Sequence, residues 1–317
     1  MRRLIITLAI GLIALAIGLI IFLNWPSFNF KKQALPTSPL VKSTTAPAAD
    51  LMEKKIEPIS EDRVAGYWID EITQELYLLK ETGEILKIIS KATEQVTDQV
   101  FTDINEVRPA ADGGRALVHF NYPRQSTFAV FNNRDKNITF LPQGTTAAAW
   151  HPSQPETLVY LDGAGLKINN LRSKKTSELA KIILLDGTVS WETEDLITIS
   201  DRPSVFLEEG RWQFNLKTKN LSRIVPDQDF KNYLGPECVT NNQKKLCAVA
   251  RPISTKAPVI DDYLKNKKVV IDDFYLDNQP LATTGVSPID AVNLTWWGNN
   301  LYFINRYDQQ LYRLAVK

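Results

Sequence analysis

Histidine, cysteine and methionine each occur only twice in the 317 residues. His119 and His151 with Cys238 and Cys247 are too few to supply the three- or four-ligand sets of His-rich or Cys-rich zinc sites. No G-x-S-x-G stretch exists and neither cysteine has a histidine nearby, so the signatures of nucleophilic hydrolases are missing. The formal net charge is only +1, which lacks the basic excess of a nucleic-acid-binding domain. Nothing in the chain calls for a metal or a cofactor. Paired carboxylates are present at Asp261-Asp262 and Asp272-Asp273, but adjacency in sequence does not set the spacing that glycoside hydrolysis needs, and they read as solvated loops. Both histidines read as structural.

One long apolar run stands out against these absences. After Met1, Arg2 and Arg3, the uncharged stretch LIITLAIGLIALAIGLIIFL covers Leu4 to Leu23 and is followed by Asn24 and Trp25. Twenty residues at about 1.5 Å each make a helix of about 30 Å, the thickness of a bilayer's hydrocarbon core. A cleaved signal peptide would carry a shorter apolar region and a small-x-small cleavage site. Residues 1–25 therefore read as an uncleaved signal anchor and single-pass transmembrane helix. Arg2 and Arg3 favour a cytoplasmic N-terminus, against a weaker pull from Lys31 and Lys32. Thr7, Gly11, Ala14 and Gly18 form a stripe of small residues that would allow weak dimerisation through the anchor, although such residues are ordinary in membrane helices. Residues 26–50 contain LPTSPLVKSTTAPAAD, too poor in apolar residues and too rich in Pro to fold, and read as a disordered stalk.

From residue 51 to 317 the pattern changes to short alternating or β-branched runs broken by Gly, Pro, Asn and Asp, which predicts an all-β domain. The runs recur. YWIDEITQELYLL, from Tyr67, aligns without a gap with YFINRYDQQLYRL, from Tyr302, and related units centre near Leu117, Val159, Ile197 and Ala248. Units of about 40–50 residues with four strands each are what propeller blades require. Six units predict a six-bladed β-propeller, with seven blades or a pair of β-sandwiches as alternatives. The echo places its two copies in equivalent positions of the first and last blades, with Glu71 opposite Arg306.

The repeat resembles that of TolB-like and WD-repeat-like propellers. WHPSQPETLVYL, from Trp150, is similar to their W-S-P-D-G-K-x-I-A-F core, and FINRYDQQLYRL, from Phe303, to the continuation F-x-S-D-R-D-G-N-x-L-Y. Only Asp112-Gly113 keeps the Asp-Gly turn of that pattern. The resemblance implies a propeller fold and an extracytoplasmic interaction role, and it carries no catalytic residues.

The last unit lacks a fourth strand before Lys317, so the segment KKIEPIS, Lys54 to Ser60, is the best donor of a closing outer strand, or else the first blade's inner strand. Cys238 and Cys247 flank the turn TNNQKK symmetrically and would face each other across a hairpin, suited either to a disulfide outside the cell or to two buried thiols. Arg124, Arg202, Arg251 and Arg306 each follow the second strand of a unit, on loops that share one face of a propeller. They are candidates for carboxylate, phosphate or acidic-glycan binding, unless they only brace their own loops by pairing with neighbouring carboxylates. The recurring Trp residues read as packing between blades. IDDYLKNKK, Ile260 to Lys268, reads as an insertion and a secondary binding candidate.

The function expected is a membrane-anchored, extracytoplasmic, noncatalytic binding or scaffold module for a protein, peptide or anionic envelope glycan, with no nucleic-acid partner. A propeller-fold glycoside hydrolase or lyase is the alternative, and a sensor or spacer domain the third.

Overall fold

The computed structural model describes residues 56–89, 92–122, 125–182, 184, 187–201, 210–224, 237–241, 243–251, 270–283 and 288–316. The expected anchor, the stalk, Arg124, Arg202 and the 260–268 insertion lie outside these residues. The described chain is strand and turn throughout.

A short first strand, β1 (Ile56–Pro58), precedes six sets. The first is β2 (Val64–Asp70), β3 (Glu75–Lys80), β4 (Ile85–Ile89) and β5 (Ala92–Gln95). The second is β6 (Ile104–Pro109), β7 (Arg115–Asn121), β8 (Ser126–Asn132) and β9 (Asn137–Phe140). The third is β10 (Ala147–Trp150), β11 (Thr157–Asp162), β12 (Gly165–Asn170) and β13 (Lys175–Ala180). The fourth is β14 (Gly187–Thr193), β15 (Leu196–Asp201), β16 (Arg211–Asn215) and β17 (Asn220–Ile224). The fifth is β18 (Glu237–Asn241), β19 (Lys244–Ala250), β20 (Asp272–Leu276) and β21 (Gln279–Thr283), and the last is β22 (Ala291–Trp297), β23 (Asn300–Asn305) and β24 (Gln310–Ala315). Each set is an antiparallel sheet in sequence order, and β1 supplies the fourth strand of the last. Six four-stranded sheets of this topology form a six-bladed propeller.

Apolar clusters fill five of the seams between blades. Trp68, Leu79, Val118 and Phe131 join blades 1 and 2; Leu117, Val130, Trp150 and Tyr160 join blades 2 and 3. Val159, Leu161, Trp191 and Phe214 join blades 3 and 4. Phe274, Leu294 and Phe303 join blades 5 and 6, while Tyr67, Leu78, Tyr302 and Leu311 join blade 6 to blade 1. Fully burying one Leu or Phe side chain contributes roughly 1.5–3 kcal/mol, so these seams are the main cohesive term. At the inner edge, the Arg108 guanidinium donates to the carbonyls of Ala148 at 3.2 Å and Val189 at 3.4 Å, covering strand edges that have no further partner strand.

Ring closure follows the expectation for the outer strand. Ile56, Glu57 and Pro58 pair with Leu314, Arg313 and Tyr312, and the Ile59 N–H donates to Leu311 O at 2.8 Å. Pro58 is tolerated because β1 is an edge strand.

The echo between the two chain ends means something other than blade equivalence. YWID and ELYLL fall on β2 and β3, the first and second strands of blade 1, whereas YFIN and QLYRL fall on β23 and β24, the second and third strands of blade 6. The copies are one strand out of phase, so Glu71 and Arg306 occupy opposite faces of the ring. What they share is a hairpin. An Asp or Asn ends the first strand, three residues follow, and the fourth adopts a left-handed conformation: φ is 58° at Gln74 and 60° at Gln309. The Asp70 carboxylate accepts the Ile72 and Thr73 N–H groups, and the Asn305 side-chain oxygen accepts that of Tyr307.

The same hairpin joins the third and fourth strands of blades 2, 3 and 4, ending in Lys136 (φ 51°), Lys174 (φ 55°) and Lys219 (φ 54°). There Asn132 accepts from Arg134 N–H, Asn170 from Ser173 N–H, and Asn215 from Lys217 and Thr218 N–H. Side-chain acceptors of this kind favour turns over continued strand. Glycine would be unstrained at the fourth position, where an L-residue costs about 1–2 kcal/mol.

Candidate functional site

The two described arginines of the expected set belong to loops on the face formed by second-to-third-strand connections. Both lie against carboxylates. The Arg251 guanidinium grips Asp273 with two bonds of 2.6 and 2.7 Å, and the Arg306 guanidinium lies 3.6 Å from a carboxylate oxygen of the fully buried Asp290. Carboxylates therefore compete with any ligand for these cations.

Asp272 and Asp290 stitch blades 5 and 6 reciprocally. Asp272 accepts the Ala291 N–H at 2.7 Å, and Asp290 accepts the Val270 N–H at 3.3 Å. The Asp290 N–H in turn donates to Asn305. The reading of Asp272-Asp273 as solvated loop is thus corrected: Asp272 begins β20, is 4% exposed, and faces an interblade seam, while Asp273 holds Arg251. Burial pushes the Asp272 carboxyl up to about 7, with the charges of Asp290, Glu237 and Asp273 adding to it and the Ala291 N–H opposing. Glu237 is also raised, chiefly by burial, although the Leu294 N–H donates to it at 2.9 Å. That N–H is exposed to such a partner because β22 bulges between Val292 and Thr295. From the other side, the Tyr67 hydroxyl donates to the carbonyls of Asn293 and Tyr302.

Cys238 and Cys247 are directly opposed in the β18–β19 ladder and joined by a disulfide. His151 caps a turn. Its Nδ1 accepts the N–H groups of Ser153 and Gln154, both at 3.1 Å, and its ring lies 4.4 Å from that of Trp191. Burial lowers its pKa, opposed by Glu194 and Asp195. His119 stacks on Phe128 at 4.2 Å. The described tryptophans line seams, with Trp68 donating to Asn133 and Trp150 to the Arg108 carbonyl. Among the described residues no cluster of three or more His, Cys, Asp or Glu could hold a metal ion.

The opposite face, made by first-to-second and third-to-fourth-strand turns, carries a cleft of about 840 Å³ spanning blades 1 to 3. Its wall is held from below by Asn133, which accepts from Trp68 and donates to Asp70 and the Gly113 carbonyl at 3.1 and 2.7 Å. Gly113 (φ 63°) is obligatory there, because a Cβ would fall 1.7 Å from the Ile69 carbonyl oxygen. This explains why the Asp-Gly turn survives at this one site. Glu75 accepts from Tyr77 and Lys87, which holds its pKa low, and Arg115 of blade 2 reaches Glu156 of blade 3 at 3.2 Å. A second hollow of about 590 Å³ shares Arg115, Asn132, Asp135 and Glu156 and continues down the flank between blades 2 and 3. Sequence reading missed this cleft, since its residues come from turns of three blades. The Asp112-Gly113 dipeptide was its only visible trace.

The fold and this cleft define a propeller with a recessed polar interblade surface. No known protein family matches the sequence, and no curated protein matches it either. Among solved structures the chain is similar to an auxiliary nutrient binding protein from Bacteroides ovatus, with 11% identity, a TM-score of 0.47, and coverage of 82% of this chain and 72% of that one. The extracellular domain of the hybrid two component system BT4673 from B. thetaiotaomicron gives 13% identity and a TM-score of 0.47 over 83% of this chain and 40% of that one. TolB from Acinetobacter baumannii gives 10% and 0.38 over 80% and 63%. These likenesses fit a propeller and carry no ligand or activity across; the fold assignment rests on the six sheets.

Proposed function

We propose that residues 51–317 are a noncatalytic binding module, held outside the cell membrane by the anchor at 1–25 and the stalk at 26–50, and that its ligand enters the cleft across blades 1 to 3. The observation that carries this reading is that the cleft's polar side chains are fixed before any ligand arrives. Asn133, Asp70, Glu75 and Arg115 are each held by protein partners, which lowers the ordering cost of binding. The cleft favours recognition over chemistry: Glu75 is held ionised by Tyr77 and Lys87, whereas a general acid needs a raised pKa.

Among the described residues the raised carboxyls are Glu237, which lies outside the cleft and accepts the Leu294 N–H, and Asp272, beside Asp290. Asp272 and Asp290 are 4% and 0% exposed, which closes that pair to a substrate.

The test uses the intact anchored protein with a photocrosslinking residue placed either at Gln154 in the cleft or at Tyr122 on the other face. A partner captured through position 154 and lost on Arg115→Ala supports the reading. Capture only through position 122 refutes it. Protease digestion of residues 51–317 in sealed, right-side-out membranes supports the location, and cleavage only after permeabilisation overturns it.

A further inference from the structure

Three consecutive hairpins on the cleft face repeat one arrangement of charge. Their sequences are NNRDKN from Asn132, NLRSKK from Asn170 and NLKTKN from Asn215. Each follows the pattern Asn, any residue, cation, any residue, Lys. The result is six exposed cations on neighbouring blades: Arg134 and Lys136, Arg172 and Lys174, Lys217 and Lys219. Lys217 reaches Asp195 at 2.5 Å, with its side chain 76% exposed, a geometry that leaves the pair well screened by water. No described carboxylate forms an ion pair with the other five. The corresponding turn of blade 5 is Asp277-Asn278, and the row of cations borders a wall that also carries the carboxylates of Asp135, Glu156, Asp70, Glu75 and Asp112.

The fourth hairpin position sharpens the point. The backbone there is left-handed, so glycine would fit without strain, yet all three hairpins carry lysine. A strained residue that backbone geometry does not ask for directs attention to its side chain. The hairpins also border the recess: Arg134 and Lys136 stand on the 840 Å³ cleft, and Arg172 and Lys174 on its continuation between blades 2 and 3.

Building on the binding-module reading, we infer that this row of hairpins binds a linear acidic polysaccharide laid across blades 2 to 4. Repeated point cations match repeated anionic groups, and the hollow between them offers hydroxyl and amide partners in Asn137, Thr139, Asn169 and Thr176. Single-stranded nucleic acid would instead need aromatic platforms. Among the described residues, the one aromatic ring lining these hollows, Tyr77, is 4% exposed, and its hydroxyl is bound to Glu75.

The decisive variant is Lys136→Gly, Lys174→Gly and Lys219→Gly combined, because glycine suits the left-handed backbone and removes only the side chains. Binding of alginate oligosaccharides and of heparin to the full chain is measured across a salt series, with oligothymidylate of matched charge in parallel. The triple variant is expected to melt no lower than the parent. It should bind the polysaccharides on the order of 100-fold more weakly at low salt, about fivefold per lysine. Its dependence of log K on log salt should fall by about 2 in slope. A control with Arg63→Gln, Lys244→Gln and Lys245→Gln makes the same change in net charge and should bind as the parent does. Unchanged polysaccharide binding by the glycine variant overturns the inference, as does equal loss in the control or tighter binding of oligothymidylate. If polysaccharide binding is unchanged in the glycine variant while a cleft partner is still trapped through position 154, the binding module stands and the polysaccharide assignment falls.

Discussion

Replacing Asp272 by Asn isolates one charge at the seam of blades 5 and 6. The side-chain oxygen of Asn can still accept the Ala291 N–H, so the change removes ionisation while keeping that bond. The wild-type carboxyl is raised from 3.8 to about 7. A group that holds its proton more tightly when folded contributes stability below its unfolded pKa and loses it as pH rises to the folded value. At about 1.36 kcal/mol per pH unit, the loss between pH 5 and pH 7 comes to about 3 kcal/mol, and it is constant above. Asp290, Glu237 and Asp273 add negative charge around the group, and Arg306 and Arg251 lie against two of them, so about 3 kcal/mol is an upper bound. Urea denaturation of both proteins at pH 5 and pH 8 provides the comparison. Whatever Asn costs in packing cancels, and the stability of the variant relative to wild type should shift by up to about 3 kcal/mol in its favour at pH 8. An identical difference at both pH values, within about 0.5 kcal/mol, would refute the argument that burial and neighbouring carboxylates hold this proton.

Three further outcomes follow from other sites. His151 is depressed, so its contribution is lost as pH falls below about 6.5, where the unfolded chain takes up protons first; His151→Asn keeps an acceptor for the turn and should flatten the melting temperature between pH 7 and pH 5. The disulfide closes a loop with a sequence separation of 9, so Cys238→Ser with Cys247→Ser should cost about 2.5 kcal/mol in denaturant unfolding, and a cost near zero would mean that β18 is held by other contacts. Asn215→Ala removes the acceptor for two backbone N–H groups and should cost about 1–2 kcal/mol, whereas Lys219→Gly at the other end of that hairpin should cost nothing or stabilise by up to about 1 kcal/mol. Opposite signs at the two ends, read from melting curves, are the check.

Architecture was legible because blades repeat, and repetition survives divergence of individual letters. Alternating apolar runs gave six units, and the missing fourth strand pointed to Ile56–Pro58 as closure. Phase was not legible. The hairpin at Asp70 and the one at Asn305 share letters because both turns need a side-chain acceptor and a left-handed fourth residue, a local demand that recurs between any two strands. Asp272 was misread for a related reason: adjacency to Asp273 suggests a loop, but in a strand the two point to opposite sides, one into the seam and one onto Arg251. The cleft draws on Asp70, Arg115, Asn133 and Glu156, far apart in sequence and joined only once the blades stack.

The closing strand has a mechanical consequence. The chain N-terminal to Ile56 enters the ring through the same three residues whose pairing with Leu314, Arg313 and Tyr312 completes blade 6. Tension transmitted along that chain is borne first by this short ladder, by the Glu57–Arg313 ion pair and by the packing of Ile56 on the cluster of blades 5 and 6. Among the described strands β1 and β24 are the one pair joined out of sequence order, so a pull strong enough to peel β1 away would open the propeller there while the described hairpins remained intact.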